Sequence, residues 1–397
     1  LRERYRPRPP RATQKPSARR GGIVIEPRPV PVYKRDEETR AAGGGPGNVQ
    51  TPGIGMNVLV IGGAGFIGSH TVDALLRRGN RVRIYDALCK PVHLKGAPAY
   101  LPREAELVVG DVRDKVSLAK ALQGIEAVYH FAAYQDYLPD FSTFFSVNAA
   151  GTALIYEIIV EQKLPVRKVV VASSQAVAGE GLYRGADGQL FTPDIRPEER
   201  LIRGQWDIPD AKGRPAVSLP TPESVCNPQN QYGLSKLSQE KIAISLGRRY
   251  GIPSVALRYS IVQGPRQSFY NAYSGACRIF CLNLYFDRAP TLYEDGLQIR
   301  DYVNIDDVVR ANLLVMEDDR ANFRVFNVGG GRGYTVREFA EIVRQVFEKD
   351  IPPVMPGLYR YGDTRHILSD ISALKALGWA PQKTPGDSVQ AYRDYLY

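Results

Sequence analysis

The sequence has little cysteine for its length, with Cys89, Cys226, Cys277 and Cys281 as the four cysteines among 397 residues. So few cysteines in so long a chain exclude the disulfide framework of a small secreted domain. Cys277 and Cys281 lie one helical turn apart, but no second pair of cysteine or histidine residues follows at the spacing of metal ligands. We therefore expect both side chains to pack in a core, and we expect no metal site.

Long apolar segments are also missing from the sequence. No apolar run approaches the length that crosses a bilayer, and the N-terminus lacks the apolar part of a secretion signal. We therefore expect a cytoplasmic protein that does not enter a membrane. The composition, with 44% hydrophobic and 24% charged residues, is typical of an α/β protein with one large domain or two interleaved ones.

The formal net charge of +10 is concentrated at the start of the chain. Residues 1–50 hold twelve lysines and arginines against five acidic residues, which leaves a net charge of +3 for everything that follows. We therefore do not expect the globular part to bind nucleic acid. The segment 1–55 is rich in proline, arginine and glycine, and we predict that it is disordered, either as a solvated arm or as an extension that binds a polyanion or a protein partner.

Met56 is the first methionine of the sequence and stands immediately before the first predicted strand. We therefore hypothesise that the native protein starts at this residue. The intact mass of protein made in its own host tests the hypothesis, and a mass that includes residues 1–55 would contradict it.

The most informative stretch is residues 56–69, where a continuous apolar run breaks into three glycines. The run is typical of a strand buried on both faces, and the apolar residues after the glycines have helical spacing. Glycines let backbone N–H groups approach a pyrophosphate closely, and the start of a helix adds a favourable partial positive charge. The residues predicted to hold a dinucleotide here are Gly62, Gly65, Phe66, Ile67 and Gly68.

A second short strand is predicted at 81–85, and it ends at Asp86, about twenty residues beyond the glycines. A carboxylate at this place can accept hydrogen bonds from an adenosine ribose, and it would repel the 2′-phosphate of NADP. The strand, the spacing and the acid together predict NAD as the cofactor.

Strands and helices continue to alternate after this point, which indicates an α/β fold with a doubly wound parallel sheet of the Rossmann type. Further strands are predicted at 106–109, 127–131, 168–172, 254–259 and 326–328. We expect their carboxyl ends to meet at one crevice, where Asp111 either contacts the adenine or caps a helix near Asp114. We predict an NAD-binding domain over 56–264, to which 302–328 returns, and a smaller α/β substrate-binding domain over 265–397.

Two long helices are predicted at 141–161 and 228–250. The first is apolar over more than one stripe, so it must bury a second face in the sheet layer or in another subunit. The segment 179–227 is polar, rich in proline and glycine, and longer than an ordinary connection. We expect its Tyr183 and Trp206 to anchor it, and we expect the segment to cover the ligand pocket and exclude water.

Three side chains form a candidate catalytic group. Ser174 follows the predicted strand 168–172, and Tyr232 and Lys236 stand four residues apart on one face of the second long helix. An ammonium close to a phenol favours the phenolate, and the positive nicotinamide ring of bound NAD+ acts in the same direction, so Tyr232 is a candidate base near neutral pH. Lys236 can also hold the nicotinamide ribose, and Ser174 can hydrogen-bond the oxygen whose proton moves.

These motifs together resemble the extended short-chain dehydrogenase/reductase family, in particular its nucleotide-sugar 4-epimerases such as dTDP-L-rhamnose 4-epimerase and UDP-glucose 4-epimerase. The resemblance covers residues 56–397 and rests on GGAGFIG at 62–68, Asp86, GDV at 110–112, HFAA at 130–133, Asn148 with Gly151-Thr152, SSQAVAG at 173–179, Tyr232 with Lys236, LRYSIVQGPRQ at 257–267 and DGLQIRDYVNIDDVV at 295–309. It implies a homodimer that forms through the helices at 141–161 and 228–250.

The resemblance also implies roles for individual residues. Ser174, Tyr232 and Lys236 resemble the catalytic triad, and Ser174 and Gln175 are implied to contact the substrate. Arg300 and Arg365 resemble the arginines that bind the substrate pyrophosphate, with a surface ion pair as the alternative for either. The further cofactor contacts that it implies are Asp111, Val112, Phe131, Ala132, Ala133, Asn148, Tyr232, Lys236 and Tyr259.

The sequence departs from the family pattern at several positions. Dehydratases and decarboxylases of the family place acidic residues directly after the catalytic serine or threonine, where this chain has Gln175 and Ala176. Elimination and decarboxylation therefore lack their proton-transfer groups. Ala178 replaces an aromatic residue, and Ser260-Ile261 replaces a Phe-Asn pair.

The function predicted from the sequence is NAD-dependent epimerisation at C4 of a nucleotide-diphosphate sugar through a transient 4-keto intermediate. One alternative is an NAD-dependent sugar dehydrogenase that releases its keto product, which the altered Ser260-Ile261 pair leaves open. The other is a non-catalytic scaffold that keeps NAD for stability and docks through its basic tail.

Overall fold

The computed structural model of the protein describes residues 55–90, 92–270 and 275–397. The predictions made for the basic segment therefore lie outside the described residues, except at Gly55.

The described residues form thirteen strands and eleven helices. The strands are β1 (Asn57–Ile61), β2 (Arg81–Asp86), β3 (Glu106–Val109), β4 (Ala127–His130), β5 (Lys168–Ser174), β6 (Leu182–Arg184), β7 (Leu190–Phe191), β8 (Val217–Leu219), β9 (Ser254–Tyr259), β10 (Ile261–Gln263), β11 (Ile299–Asn304), β12 (Arg324–Val328) and β13 (Gly333–Thr335). The helices are α1 (Phe66–Arg77), α2 (Lys115–Ala121), α3 (Phe141–Phe144), α4 (Gly151–Glu161), α5 (Glu198–Ile202), α6 (Gln231–Tyr250), α7 (Ala276–Tyr285), α8 (Ile305–Glu317), α9 (Val336–Phe347), α10 (Ser372–Lys375) and α11 (Pro385–Leu396).

Seven strands form one parallel sheet in the order β12-β9-β5-β4-β1-β2-β3. Four consecutive residues of β1, Val58 to Ile61, are fully buried, because helices cover both faces of the sheet. The chain moves outward from β1 in one direction up to β3 and then crosses to β4 on the other side. The predicted Rossmann-type sheet is confirmed, and the reversal between β1 and β4 opens the ligand crevice of such folds.

Two hydrophobic cores lie on opposite faces of this sheet. Helices α1 and α8 cover one face, for example with Val72 and Val308. Helices α2, α4 and α6 cover the other face, for example with Leu118, Ile155 and Ala243. The sheet therefore holds the carboxyl ends of its strands in fixed positions at one edge.

The predicted helix over 141–161 is interrupted by a π-helical turn, Phe145–Ala150, between α3 and α4. Among the described residues this stretch is the one helix long and apolar enough to cross a membrane, with a mean hydropathy of 1.4, contrary to the expectation from the sequence. Its Ile155 and Ile158 are completely buried against the sheet. The stretch therefore packs as a core helix in this fold.

A smaller three-stranded sheet, β10-β11-β13, packs with helices α7, α9 and α11. Cys277 and Cys281 are both buried in this core, as predicted, with their sulfurs 4.0 Å apart. Strand β12 lies between β11 and β13 in the chain, but it pairs with β9 in the large sheet. The division into two domains at residue 265 stays a prediction.

The segment 179–227 folds as a second small sheet, β7-β6-β8, with the short helix α5. Tyr183 is fully buried, and the ring of Trp206 lies 6.4 Å from that of Tyr359. Both aromatic residues therefore anchor the segment to the rest of the protein, as expected.

Candidate active site

A cavity of about 610 Å³ opens at the carboxyl ends of the central strands. It extends from the glycine turn after β1 to Arg300 of β11 and to Arg360. The predicted site residues that line it are Gly62, Gly65, Phe66, Ile67, Gly68, Phe131, Ala133, Ser174, Gln175, Tyr232, Lys236, Tyr259 and Arg300.

The glycine turn brings the start of α1 close to β4. Gly62 has a φ of +79°, and a Cβ atom there would lie 2.4 Å from the backbone nitrogen of Ala132. Gly65 has an extended backbone before the first residue of α1, and a Cβ atom there would meet only the carbonyl oxygen of Gly62, at 3.3 Å. The first N–H groups of a helix have no partner within it, so this shallow cradle fits a dinucleotide pyrophosphate.

Asp86 ends β2 beside the turn. One carboxylate oxygen accepts the Ala64 N–H at 3.0 Å, and the other accepts the Leu88 N–H at 2.9 Å. The residue therefore holds the turn in shape, although it is not among the residues that line the cavity. Its contact with the cofactor ribose stays a prediction.

The structure brings the three candidate catalytic residues together. The Ser174 hydroxyl lies at the end of β5 and hydrogen-bonds the Tyr232 phenol. The ammonium nitrogen of Lys236 lies 5.9 Å from the centre of the Tyr232 ring and donates at 2.8 Å to both the Ala172 carbonyl and the Gln239 side chain. Since an ammonium has three protons, one remains for a ligand beyond these contacts with described residues.

The pKa values of Tyr232 and Lys236 shift in the direction opposite to the expectation that Lys236 favours a Tyr232 phenolate. Burial raises the pKa of Tyr232 to about 12, although the hydrogen bond from Ser174 opposes this shift. Burial also lowers the pKa of Lys236 to about 7. In the protein alone, desolvation outweighs the ammonium–phenol attraction that the sequence suggested.

Several predicted cofactor contacts lie outside the cavity wall. The Asp111 carboxylate is held by the guanidinium of Arg113 at 2.9 and 2.6 Å, and Asp114 is the residue that caps α2. The Asn148 side chain is fully buried, where it bonds both the N–H and the carbonyl of Tyr134. These side chains, together with Val112 and Ala132, are not among the residues that line the cavity, and their contacts with the cofactor stay predictions.

Arg365 does not line the cavity, and its contact with a substrate pyrophosphate stays a prediction. Its side chain is 1% exposed and pairs with Asp207, Glu294 and Asp295 at 2.7 to 3.0 Å. Three carboxylates therefore pair with this guanidinium, of which Glu294 is buried, Asp295 is partly exposed and Asp207 is exposed. The set Glu180, Arg196, Asp207, Glu294, Asp295 and Arg365 is called the arginine–carboxylate network below.

Sequence reasoning missed Arg360, which does line the cavity. Its guanidinium donates to the Tyr137 hydroxyl at 2.9 Å and lies 4.9 Å from the ring centres of Tyr137 and Tyr293. Arginines occur at both positions 360 and 365 of the sequence, and nothing in the local pattern distinguishes the buried one from the exposed one.

Buried polar atoms without a partner among the described residues mark three further places on the wall. They are the Gln175 amide oxygen, the Gln267 amide oxygen and the Tyr302 hydroxyl. Buried polar groups are nearly always hydrogen-bonded, so a polar ligand would satisfy them. Sequence reasoning had identified only Gln175 of the three.

The predicted cover over the cavity is not found. Of the whole segment 179–227, which the structure describes in full, only Gly179 lines the cavity. Glu180 and Arg196 of this segment are instead buried in the arginine–carboxylate network. The segment therefore packs behind the residues that line the cavity and does not cover its opening.

His366 lies next to this network and allows a pH test. Its Nδ1 atom accepts the Ile299 N–H at 3.0 Å, and burial, with Arg365 and Arg300 nearby, lowers its pKa from 6.5 to about 4. Between these pH values the unfolded chain binds a proton that the folded chain does not, so stability present above pH 6.5 is lost as the pH falls towards 4.

We expect His366→Asn, whose amide oxygen can still accept the Ile299 N–H, to remove this loss. Between pH 7.5 and 5.0 the wild type is expected to lose about 2 kcal/mol more free energy of unfolding than the variant. Urea unfolding of both proteins at the two pH values measures the difference. Equal losses would show that His366 is protonated in the folded protein or does not titrate in this range.

Comparisons with known proteins identify the family of the chain. The model of the NAD dependent epimerase/dehydratase family matches residues 58–203 and 204–329. A dTDP-L-rhamnose 4-epimerase from Burkholderia thailandensis is 33% identical over 335 residues, which cover 83% of this chain and 91% of that protein. A putative UDP-glucose 4-epimerase from Methanocaldococcus jannaschii is 31% identical, covering 82% and 93%.

Two solved structures are also similar to this chain. The UDP-glucose 4-epimerase of Thermotoga maritima, crystallised with UDP-glucose, has 30% identity and a TM-score of 0.70, covering 86% of this chain and 98% of its own. That of Thermus thermophilus, crystallised with NAD, has 28% identity and a TM-score of 0.69, with the same coverage. The chain therefore belongs to the NAD-dependent epimerase/dehydratase family, which confirms the resemblance and makes NAD its cofactor.

Proposed function

We propose that the protein inverts the configuration at C4 of a nucleotide-diphosphate sugar through a transient 4-keto sugar. The observation that carries the proposal is the arrangement of one continuous cavity. A dinucleotide cradle lies at one end, Ser174, Tyr232 and Lys236 lie in the middle, and two arginines lie at the other end. The related 4-epimerases support this assignment.

The cofactor end fits NAD. Gly62 and Gly65 provide the close backbone approach, and the start of α1 provides N–H groups. We assign Asp86, at the end of β2 beside the turn, to the adenosine ribose. In its ammonium form Lys236 has one proton beyond those donated to its two protein acceptors, and we assign this proton to the nicotinamide ribose. When bound, NAD+ supplies the acceptor for the hydride of C4 and a positive charge in the middle of the cavity.

The protein groups in the middle of the cavity move the proton. Tyr232 takes the proton of the C4 hydroxyl and later returns it, while Ser174 hydrogen-bonds the same oxygen. Because burial alone raises the pKa of Tyr232 to about 12, the tyrosine becomes a base only when positive charge enters the cavity. Gln175 and Ala176 provide no acid or base beside Ser174, which argues against elimination and decarboxylation.

The far end of the cavity fits a pyrophosphate. Arg300 and Arg360 both line it, and a guanidinium fork matches the oxygens of a phosphate. Among the described residues, no carboxylate lies within ion-pair distance of Arg300. Its guanidinium is therefore not held in an ion pair, while Asp363, which lines the same end of the cavity, lies 3.9 Å from the Arg360 guanidinium. The Gln175 amide, whose oxygen has no partner among the described residues, is placed to bond a sugar hydroxyl near C4.

We also propose that the protein is a cytoplasmic homodimer that forms through the helices at 141–161 and 231–250. The large apolar side chains that these helices expose support this, with exposed fractions of 56% for Phe141, 38% for Phe145 and 46% for Leu234. Light scattering of the purified protein tests the assembly, and a Leu234→Glu variant is expected to give a monomer.

The activity is tested with purified protein and a panel of UDP-, dTDP- and GDP-sugars. We expect inversion at C4 by NMR, with no change of mass, no net formation of NADH, and NAD released on denaturation. Net NADH with a released keto sugar would instead identify the dehydrogenase. Bound NAD with no conversion of any sugar would favour the scaffold.

A further inference from the structure

The partly buried side chain of Arg300 is held by backbone carbonyls. Its guanidinium donates to three backbone carbonyls, those of Ile299 at 2.9 Å, Arg365 at 3.0 Å and Thr364 at 2.8 Å. Carbonyl dipoles orient a guanidinium without neutralising it, whereas a carboxylate partner would cancel its charge. The positions of the carbonyls at 364 and 365 therefore decide where the Arg300 charge lies in the cavity.

The segment that carries these carbonyls is fixed by the side chain of Arg365. This side chain reaches back to Glu294 at 3.0 Å and forks onto Asp295 at 2.7 and 2.8 Å, a few residues before Arg300 in the chain. It also donates to Asp207 at 3.0 Å. One buried guanidinium thus ties together the two chain segments that meet at Arg300.

The rest of the arginine–carboxylate network holds the same segment through its backbone. Glu180 accepts the Arg365 N–H at 2.7 Å. Arg196 donates to the Asp363 carbonyl at 2.8 Å and pairs with Glu294 through both terminal nitrogens, at 3.0 and 2.7 Å. These contacts fix the Asp363 carbonyl and the Arg365 N–H, which lie on either side of the Thr364 carbonyl that accepts from Arg300.

We propose that Arg365 is a positioning residue for substrate binding, which acts by fixing the backbone carbonyls that hold Arg300 at the pyrophosphate end of the cavity. This inference rests on the proposed function, since it assigns the phosphate contact to Arg300. A preorganised guanidinium loses less conformational freedom when the ligand binds, so affinity depends on residues that never touch the ligand.

A double-mutant cycle with Arg365→Lys and Arg300→Ala tests the proposal. The probes are the diphosphates of uridine, thymidine and guanosine, measured by calorimetry on the NAD-loaded protein, with the tightest binder to the wild type carried forward. We expect Arg365→Lys to raise the Kd about tenfold, but by less than about twofold in the Arg300→Ala background. In turnover, KM for the matching nucleotide sugar is expected to rise with kcat changed by less than about twofold.

The controls separate positioning from folding. Arg310→Lys is the matched variant, because Arg310 pairs with the buried Asp307 but does not line the cavity, and it is expected to leave the Kd unchanged. NAD content and thermal unfolding report the fold of each variant. If Arg365→Lys does not fold, Asp295→Asn removes the charge of the carboxylate on which Arg365 forks and is expected to show the same dependence on Arg300.

Three outcomes overturn the proposal. An equal loss in both backgrounds would make Arg365 a residue of general structure, and an unchanged Kd would remove it from substrate binding. If the wild type binds none of the diphosphates and converts no sugar, the proposed function fails together with the inference. If the wild type binds a diphosphate but the cycle shows no coupling between Arg365 and Arg300, the inference is rejected and the proposed function is not affected.

Discussion

Replacement of Tyr232 by phenylalanine is expected to lower kcat about a thousandfold while the fold and the NAD content stay as in the wild type. The ring keeps its place on α6, and only the hydroxyl that bonds Ser174 is lost. General acid–base groups contribute factors of about 10²–10⁴, and no other titratable side chain in the described structure is hydrogen-bonded to Ser174 in this way. NMR rates of C4 inversion and NAD released on denaturation measure the two quantities.

Tyr250→Phe is the matched control for this variant. Tyr250 ends the same helix and is 45% exposed, so loss of its hydroxyl is expected to leave kcat unchanged. A Tyr232→Phe protein that keeps more than about a tenth of the wild-type turnover would remove Tyr232 from proton transfer. If no sugar is converted by the wild type either, the scaffold alternative gains support.

The order of strands and the position of the catalytic group could be predicted because local patterns determine them. A parallel sheet that is buried on both faces requires short apolar runs, and β1 and β5 have them. Tyr232 and Lys236 meet because residues four apart share a helix face. Strand β5 extends two residues further than predicted, since Ser173 and Ser174 still pair with Arg258 and Tyr259 of β9.

The charged part of the site could not be predicted in this way. Whether an arginine faces a ligand or a buried carboxylate depends on partners far away in the chain. Arg365 meets Asp207, which lies 158 residues earlier, and Glu294, which lies 71 residues earlier. For Asp111 the decisive partner is local, because the guanidinium of Arg113, two residues later, bonds its carboxylate.

The direction of the Tyr232 pKa shift shows a second limit of prediction from the sequence. The sequence indicates which charges are near a phenol, but it does not indicate how deeply the phenol is buried. Burial raises the pKa of Tyr232 and lowers that of Lys236, so both neutral forms are favoured in the protein alone. This arrangement links the activation of the base to the arrival of the cofactor.

The second large effect is expected at the glycine turn. Gly65→Ala adds one methyl group where the backbone is extended. The one protein atom it meets outside the neighbouring residues is the Gly62 carbonyl oxygen at 3.3 Å, so the turn must adjust by a few tenths of an ångström. Because Gly65 lines the cavity at the start of α1, the methyl group occupies space that a pyrophosphate needs. We expect the affinity for NAD to fall between about tenfold and a hundredfold, since one extra buried methyl group costs about 1–3 kcal/mol in a well-packed site.

The measurement compares NAD titrations and thermal unfolding of the cofactor-free wild type and variant. Gly386→Ala is the control, because a methyl group there lies 3.5 Å from the Thr384 hydroxyl, in α11 and outside the cavity wall. Unchanged NAD affinity in Gly65→Ala would show that the pyrophosphate does not approach this backbone. Equal losses of affinity and of cofactor-free stability would instead assign Gly65 to the shape of the turn. A selective loss of affinity is the result that places the negative charge of the cofactor at the start of α1, on the wall that leads to Tyr232.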